Sequence, residues 1–208
     1  MRRLLFAIFV LGLLVTPAAS RATELSGQGM LSALKTGGYV IYLRHDLSDT
    51  SRSDIDPIDL SDCSKQRPLS DAGRRHARRI GMAFTAIHVP IDQVLASPVC
   101  RSAETAALAF PDARRTTPRA LVYTLALPAE QLKPAADELR KLLSTPPPAG
   151  SNIVLVGHTT NLKEATGLWP KYEGGALIFH PDGHGKFELA GSIDPPDFDQ
   201  AGKSATPN

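Results

Sequence analysis

Three apolar runs, each ending in a cluster of basic and imidazole side chains, constrain this chain more than any other feature. Tyr39-Val40-Ile41-Tyr42-Leu43 runs into Arg44-His45, and Asp92-Gln93-Val94-Leu95-Ala96 runs into Ser97-Pro98-Val99-Cys100-Arg101. Ile153-Val154-Leu155-Val156 runs into Gly157-His158-Thr159-Thr160. Short runs of β-branched and aliphatic residues bounded by turn formers read as buried strands. Between them the apolar spacing turns helical. Gly73, Ala77, Ile80, Phe84 and Ile87 share one face after Ser70, a good N-cap. A second helix opens at Pro128 and runs through Leu143, with Pro134 inside it, and a short third follows Ser97 and Pro98 as N-cap and N1. Leu121 to Thr124 reads as a further strand, and Ala176-Leu177-Ile178-Phe179 with Phe187-Glu188-Leu189 as a closing hairpin around Asp182-Gly183. Alternating strands and helices predict an α/β domain, a three-layer sandwich with a mostly parallel central sheet flanked by helices.

The ends of the chain carry different signals. Met1-Arg2-Arg3, the apolar run Leu4 to Val15 and the small residues Pro17 to Ala22 have the layout of a secretory signal peptide, with cleavage near 20–22. The apolar run is shorter than the roughly 20 residues that a spanning helix needs. The expected organisation is therefore a signal peptide over 1–22, one domain over 23–194 and a disordered tail over 195–208, in a periplasmic or secreted protein without integral membrane association after cleavage. Removing Arg2 and Arg3 takes the formal charge from +2 to about 0. A neutral chain offers no global field for nucleic acid. In an exported protein the two cysteines, Cys63 and Cys100, are expected to pair. That bridge would tie the long polar loop 46–68 to the residue before Arg101.

In open α/β sheets ligands bind beyond the carboxyl ends of the strands. Arg44, His45, Arg101 and His158 all fall there. Two guanidiniums offer bidentate bonds to a phosphate, and a neutral imidazole between them is a competent nucleophile for phosphorus. A second imidazole can hydrogen-bond the transferring oxygens.

These motifs resemble the histidine phosphatase superfamily, the phosphoglycerate mutase-like group, and within it a small exported bacterial subgroup. Leu43-Arg44-His45 is similar to the Arg-His-Gly signature, Ser97 to Ala106 to the segment of the second arginine, and Val156-Gly157-His158 to that of the second histidine. Leu69 to Arg74, Asp62-Cys63, Gln66-Arg67, Asn161-Leu162 and Glu173-Gly174 extend the likeness over about residues 30 to 190. The resemblance implies a phosphatase of the histidine acid type that hydrolyses small phosphomonoesters through a phosphohistidine on His45. Arg44 and Arg101 would bind the phosphate, His158 would assist, and neither metal nor cofactor would be needed.

Two departures follow. Asp46 stands where the family has glycine or alanine, and would either repel substrate or turn away and orient an arginine. The general acid is left open between Glu173, Glu130 and Asp46. His76, His88, His180 and His184 fit no motif and are expected to be structural or superficial. The alternatives are a non-catalytic exported anion-binding protein with a degenerate site, a mutase, and a metal hydrolase. The last is disfavoured because His45 and His158 lack a partner at zinc-like spacing.

Overall fold

The computed structural model describes residues 25–204. The expected signal peptide and the last four residues lie outside that range. The elements run β1 (Leu25–Ser26), α1 (Gly27–Ala33), β2 (Val40–Arg44), α2 (Asp71–Ala86), β3 (Ile91–Ala96), α3 (Cys100–Ala109) and β4 (Arg115–Thr116). They continue with α4 (Ala129–Ser144), β5 (Asn152–Gly157), α5 (Thr159–Thr166), β6 (Ala176–Pro181), β7 (Phe187–Ile193) and α6 (Pro195–Ser204). One seven-stranded sheet has the order β1-β7-β6-β2-β5-β3-β4. β2, β5 and β3 are parallel neighbours, β3 is parallel to β4, and the β6–β7 hairpin runs antiparallel beside β2.

The alternation of the strands splits the core in two. Ile41, Leu43, Val94, Val154 and Val156 point to the face covered by α1, α2, α3 and α6. Val40, Tyr42, Leu95 and Leu155 point to the face covered by α4 and α5. This is the expected three-layer sandwich. Ser70 caps α2, accepting from the Gly73 N–H at 3.0 Å.

Three expectations need correction. Residues 195–204 are not a disordered tail but helix α6, because Phe198 is fully buried and stacks on Phe84 with centroids 5.8 Å apart. Burying one such ring contributes about 1.5–3 kcal/mol, enough to hold a short helix. Leu121 to Thr124 is not a strand. It links two 3-10 turns, Arg119–Leu121 and Thr124–Ala126, that are tied to side chains, Asn161 Nδ2 donating to the Ala120 carbonyl and the Thr124 N–H to Thr160 Oγ1. Finally, α3 is capped by Val99 and not Ser97. The Ser97 hydroxyl bonds the Val99 N–H and His158 Nε2, so the chain stays extended for two more residues.

Candidate active site

Because β2, β5 and β3 are parallel neighbours, their carboxyl ends share one edge of the sheet. Arg44 and His45 leave β2 there, Ser97 leads from β3 to Arg101 in the first turn of α3, and His158 links β5 to α5. Together with the loop 53–58, Arg67 and Tyr123, they line a cavity of about 550 Å³.

His45 is oriented by its own neighbour. Its Nδ1 lies 2.9 Å from the Asp46 carbonyl, and a carbonyl can only accept, so Nδ1 carries the proton and Nε2 keeps its lone pair. Arg101 Nε donates to that Nε2 at 3.3 Å. Burial, reinforced by the Arg101 charge, pushes the His45 pKa down to about 3, so the ring is neutral over most of the pH range. His158 packs beside it with ring centroids 5.1 Å apart. Its Nε2 meets the hydroxyls of Ser97 at 3.1 Å and Ser102 at 3.2 Å, and burial keeps its pKa well below the usual value.

The backbone around His158 is pinned from below. The buried Tyr42 hydroxyl bonds the His158 carbonyl and Asn161 Oδ1, both at 2.8 Å, and the His158 N–H at 3.0 Å. Gly157 has to be glycine, since a Cβ there would collide with that hydroxyl. The expected Cys63–Cys100 disulfide is present, with Cα atoms 5.7 Å apart. It holds the loop to the residue preceding Arg101, and Gln66 Oε1 adds a bond to the Cys100 N–H at 2.8 Å.

Three polar atoms at this cavity stand out. Arg44 Nε, Arg67 Nε and Thr159 Oγ1 are buried and have no hydrogen-bond partner among the described residues. Buried polar groups are almost always paired, because an orphan costs about 1–3 kcal/mol. All three residues line the cavity, so it is walled by guanidinium groups whose hydrogen-bonding capacity the protein does not use up.

Solved structures of low sequence identity share this architecture. The protein histidine phosphatase SixA complexed with tungstate matches over 76% of this chain and 98% of its own, at 16% identity and a TM-score of 0.53. YhfR of Bacillus stearothermophilus matches over 73% and 95%, at 15% identity and 0.52. This chain has the histidine phosphatase fold. A phosphoserine phosphatase of Entamoeba histolytica in complex with 3-phosphoglyceric acid matches over 77% and 98%, at 12% identity and 0.53. No protein-family model matches the sequence, and no curated protein matches it.

Arg44, His45, Arg101 and His158 thus converge as expected, while the three candidate acids do not face the cavity. Asp46 is fully buried and turned away. Its carboxylate accepts from the Leu47 N–H at 2.7 Å and pairs with His76 Nδ1 at 2.6 Å, so it orients a histidine and not an arginine. Gly174, at φ +74°, leaves the room this pair needs, since a Cβ there would come within 2.8 Å of His76 Nδ1. Glu173 lies behind the nucleophile. It accepts from Arg44 at 3.3 Å and Ser48 Oγ at 3.0 Å, and stands 3.9 Å from His45 on the Nδ1 side. Glu130 is exposed in the first turn of α4 and is not among the residues that line the cavity.

Sequence reasoning missed Arg67, Asp54, Tyr123 and Thr159. Arg67 was visible within the Gln66-Arg67 likeness but carried no role. Asp54 is one of several aspartates in the loop 46–68, and no spacing separates it from Asp49, Asp56 or Asp59.

Proposed function

We propose that this protein hydrolyses small phosphomonoesters through a phosphohistidine on Nε2 of His45. One observation carries the reading: the Asp46 carbonyl fixes the His45 tautomer, so that Nε2 keeps its lone pair, held by the Arg101 Nε–H, at a cavity lined by Arg44, Arg67 and Arg101. Arg44, Arg67 and Arg101 grip the non-bridging oxygens and neutralise their charge, and Thr159 Oγ1 adds a further bond. His158, neutral and beside the nucleophile, hydrogen-bonds the oxygens as charge develops in the transition state. Glu173 restrains Arg44 from behind. Structures of the same fold complexed with tungstate or 3-phosphoglyceric acid support an oxyanion at such a site.

The same reading places the protein outside the cytoplasm, as a periplasmic or secreted phosphatase. The arrangement of residues 1–22 supports this, and so does a disulfide in a chain with no other cysteine.

The test is a panel of phosphomonoesters, including p-nitrophenyl phosphate, assayed with the purified protein and with His45→Ala. The substitution is expected to remove about 99.9% of turnover without changing the circular dichroism spectrum, as loss of a covalent nucleophile does in other hydrolases. Retention of a tenth of the activity would show that the nucleophile lies elsewhere.

A further inference from the structure

We infer that Asp54, in the loop after β2, is the proton donor to the leaving group, and that Tyr123 positions it. The inference rests on the phosphohistidine reading above. Asp54 and Asp56 are the carboxylates among the described residues that line the cavity. Asp56 is exposed, whereas the Asp54 side chain is only 20% exposed and is held by three residues. Its Oδ1 accepts from the Arg67 N–H at 2.8 Å and from Arg101 Nη1 at 3.0 Å, and its Oδ2 accepts from the Tyr123 hydroxyl at 3.1 Å. Tyr123 is itself fixed edge-on to His158, with centroids 5.2 Å apart, and lies under the Arg101 guanidinium at 5.2 Å.

The decisive geometry is that one guanidinium touches both reacting groups. Arg101 reaches His45 Nε2 through Nε and Asp54 through Nη1. A phosphoryl group bound at that guanidinium therefore lies within reach of both the nucleophile and the Asp54 carboxyl. In-line displacement needs a donor on the leaving-group side, and the loop residues Ser53 to Asp56 line the same cavity as His45.

The step balances as follows. The Nε2 lone pair forms the N–P bond while the P–O bond to the ester oxygen breaks, and that oxygen takes the Asp54 proton as it leaves as an alcohol. In the second half, a water oxygen forms the new P–O bond, the P–N pair returns to Nε2, and the water proton goes to the Asp54 carboxylate. In the free protein burial raises the Asp54 pKa, but the Arg67 N–H, the Arg101 charge and the Tyr123 hydroxyl outweigh it and hold the group below its ordinary value. A phosphoryl dianion bound between Arg44, Arg67 and Arg101 engages those charges and adds a negative one, which favours the protonated carboxyl that the first step uses.

An acid is needed most when the leaving alcohol is poor, which separates a donor from a mere brace for Arg101. The experiment compares wild type and Asp54→Asn on p-nitrophenyl phosphate and on glycerol 2-phosphate, with alkaline-quenched phosphoenzyme measured in parallel. Expected is a loss of about a hundredfold or more in kcat/KM for glycerol 2-phosphate, within the range of general acid catalysis, and of at most about tenfold for the p-nitrophenyl ester. Tyr123→Phe should shift the two esters in the same unequal sense, by less. Equal losses on both esters with phosphoenzyme still formed would overturn the Asp54 assignment alone. Absence of phosphoenzyme in the wild type would overturn the nucleophile reading, and the Asp54 assignment with it.

Discussion

Two buried histidines meet the same residue and are driven to opposite states. His45 bonds the backbone carbonyl of Asp46 and faces Arg101, while His76 bonds the Asp46 carboxylate. Burial lowers both pKa values. At His45 the guanidinium adds to that, and the ring stays neutral with its Nε2 lone pair accepting from Arg101. At His76 the carboxylate outweighs it, and the pKa is raised. Burial is what keeps His45 neutral, and at His76 the Asp46 carboxylate overrides the same effect and favours the protonated ring. Asp46 serves both, its backbone aiming one ring and its side chain anchoring α2 to the site.

The largest expected effect breaks the second of these pairs. His76→Asn leaves the fully buried Asp46 carboxylate without its imidazole partner, which should cost about 3 kcal/mol. For a chain of this length that is a fall in Tm of roughly 6–12 °C. His45→Asn should change Tm far less while abolishing turnover. Thermal melts of both variants beside their kinetics check the contrast, and equal melting temperatures would contradict it.

A smaller effect probes the arginine side. Arg44→Lys or Arg101→Lys keeps the charge and loses the planar fork. Each should raise the transition-state barrier by about 1.5–3 kcal/mol, or roughly tenfold to a hundredfold in kcat/KM. Near-normal kinetics in both variants would remove the arginines from the phosphate site.

The smallest effect is the pH dependence of stability. The folded pKa of His45 lies below the unfolded value, so its contribution is fully present above about pH 6.5 and is lost as pH falls towards 3. His158 behaves the same way. His76, with a raised pKa, does the reverse, contributing below about pH 6.5 and losing that contribution as pH rises through its folded value. Each depressed histidine adds a slope of up to about 1.4 kcal/mol per pH unit. Melts between pH 7 and 5 should therefore fall less steeply in His45→Asn than in wild type, and parallel curves would mean that His45 does not hold a depressed pKa.

How far these features could be read from the chain depended on how local their causes are. Strands β2, β3 and β5 announce themselves by apolar runs, and parallel pairing then brings Arg44, His45, Arg101 and His158 to one edge without further information. Cys63 and Cys100 could pair only with each other. What stayed hidden depends on side-chain direction. Glu173, Glu130 and Asp46 were plausible acids by position, yet they face Arg44, solvent and His76 respectively. Asp54 was invisible for the complementary reason, because its three hydrogen-bond partners are Arg67, Arg101 and Tyr123, up to 69 residues distant. Helix α6 opens on a proline pair, and its polar sequence conceals one anchor, Phe198, which packs on His76 and Phe84 of α2.

The central claim, a covalent phosphate on His45 Nε2, is tested most directly by a millisecond quench into alkali, which preserves phosphohistidine, followed by peptide mapping. With p-nitrophenyl phosphate in excess, the account predicts up to one phosphate per chain, located on the peptide carrying His45 and absent in His45→Ala. Steady release of p-nitrophenol with no phosphorylated peptide, or with the phosphate on His158 or His76, would contradict it.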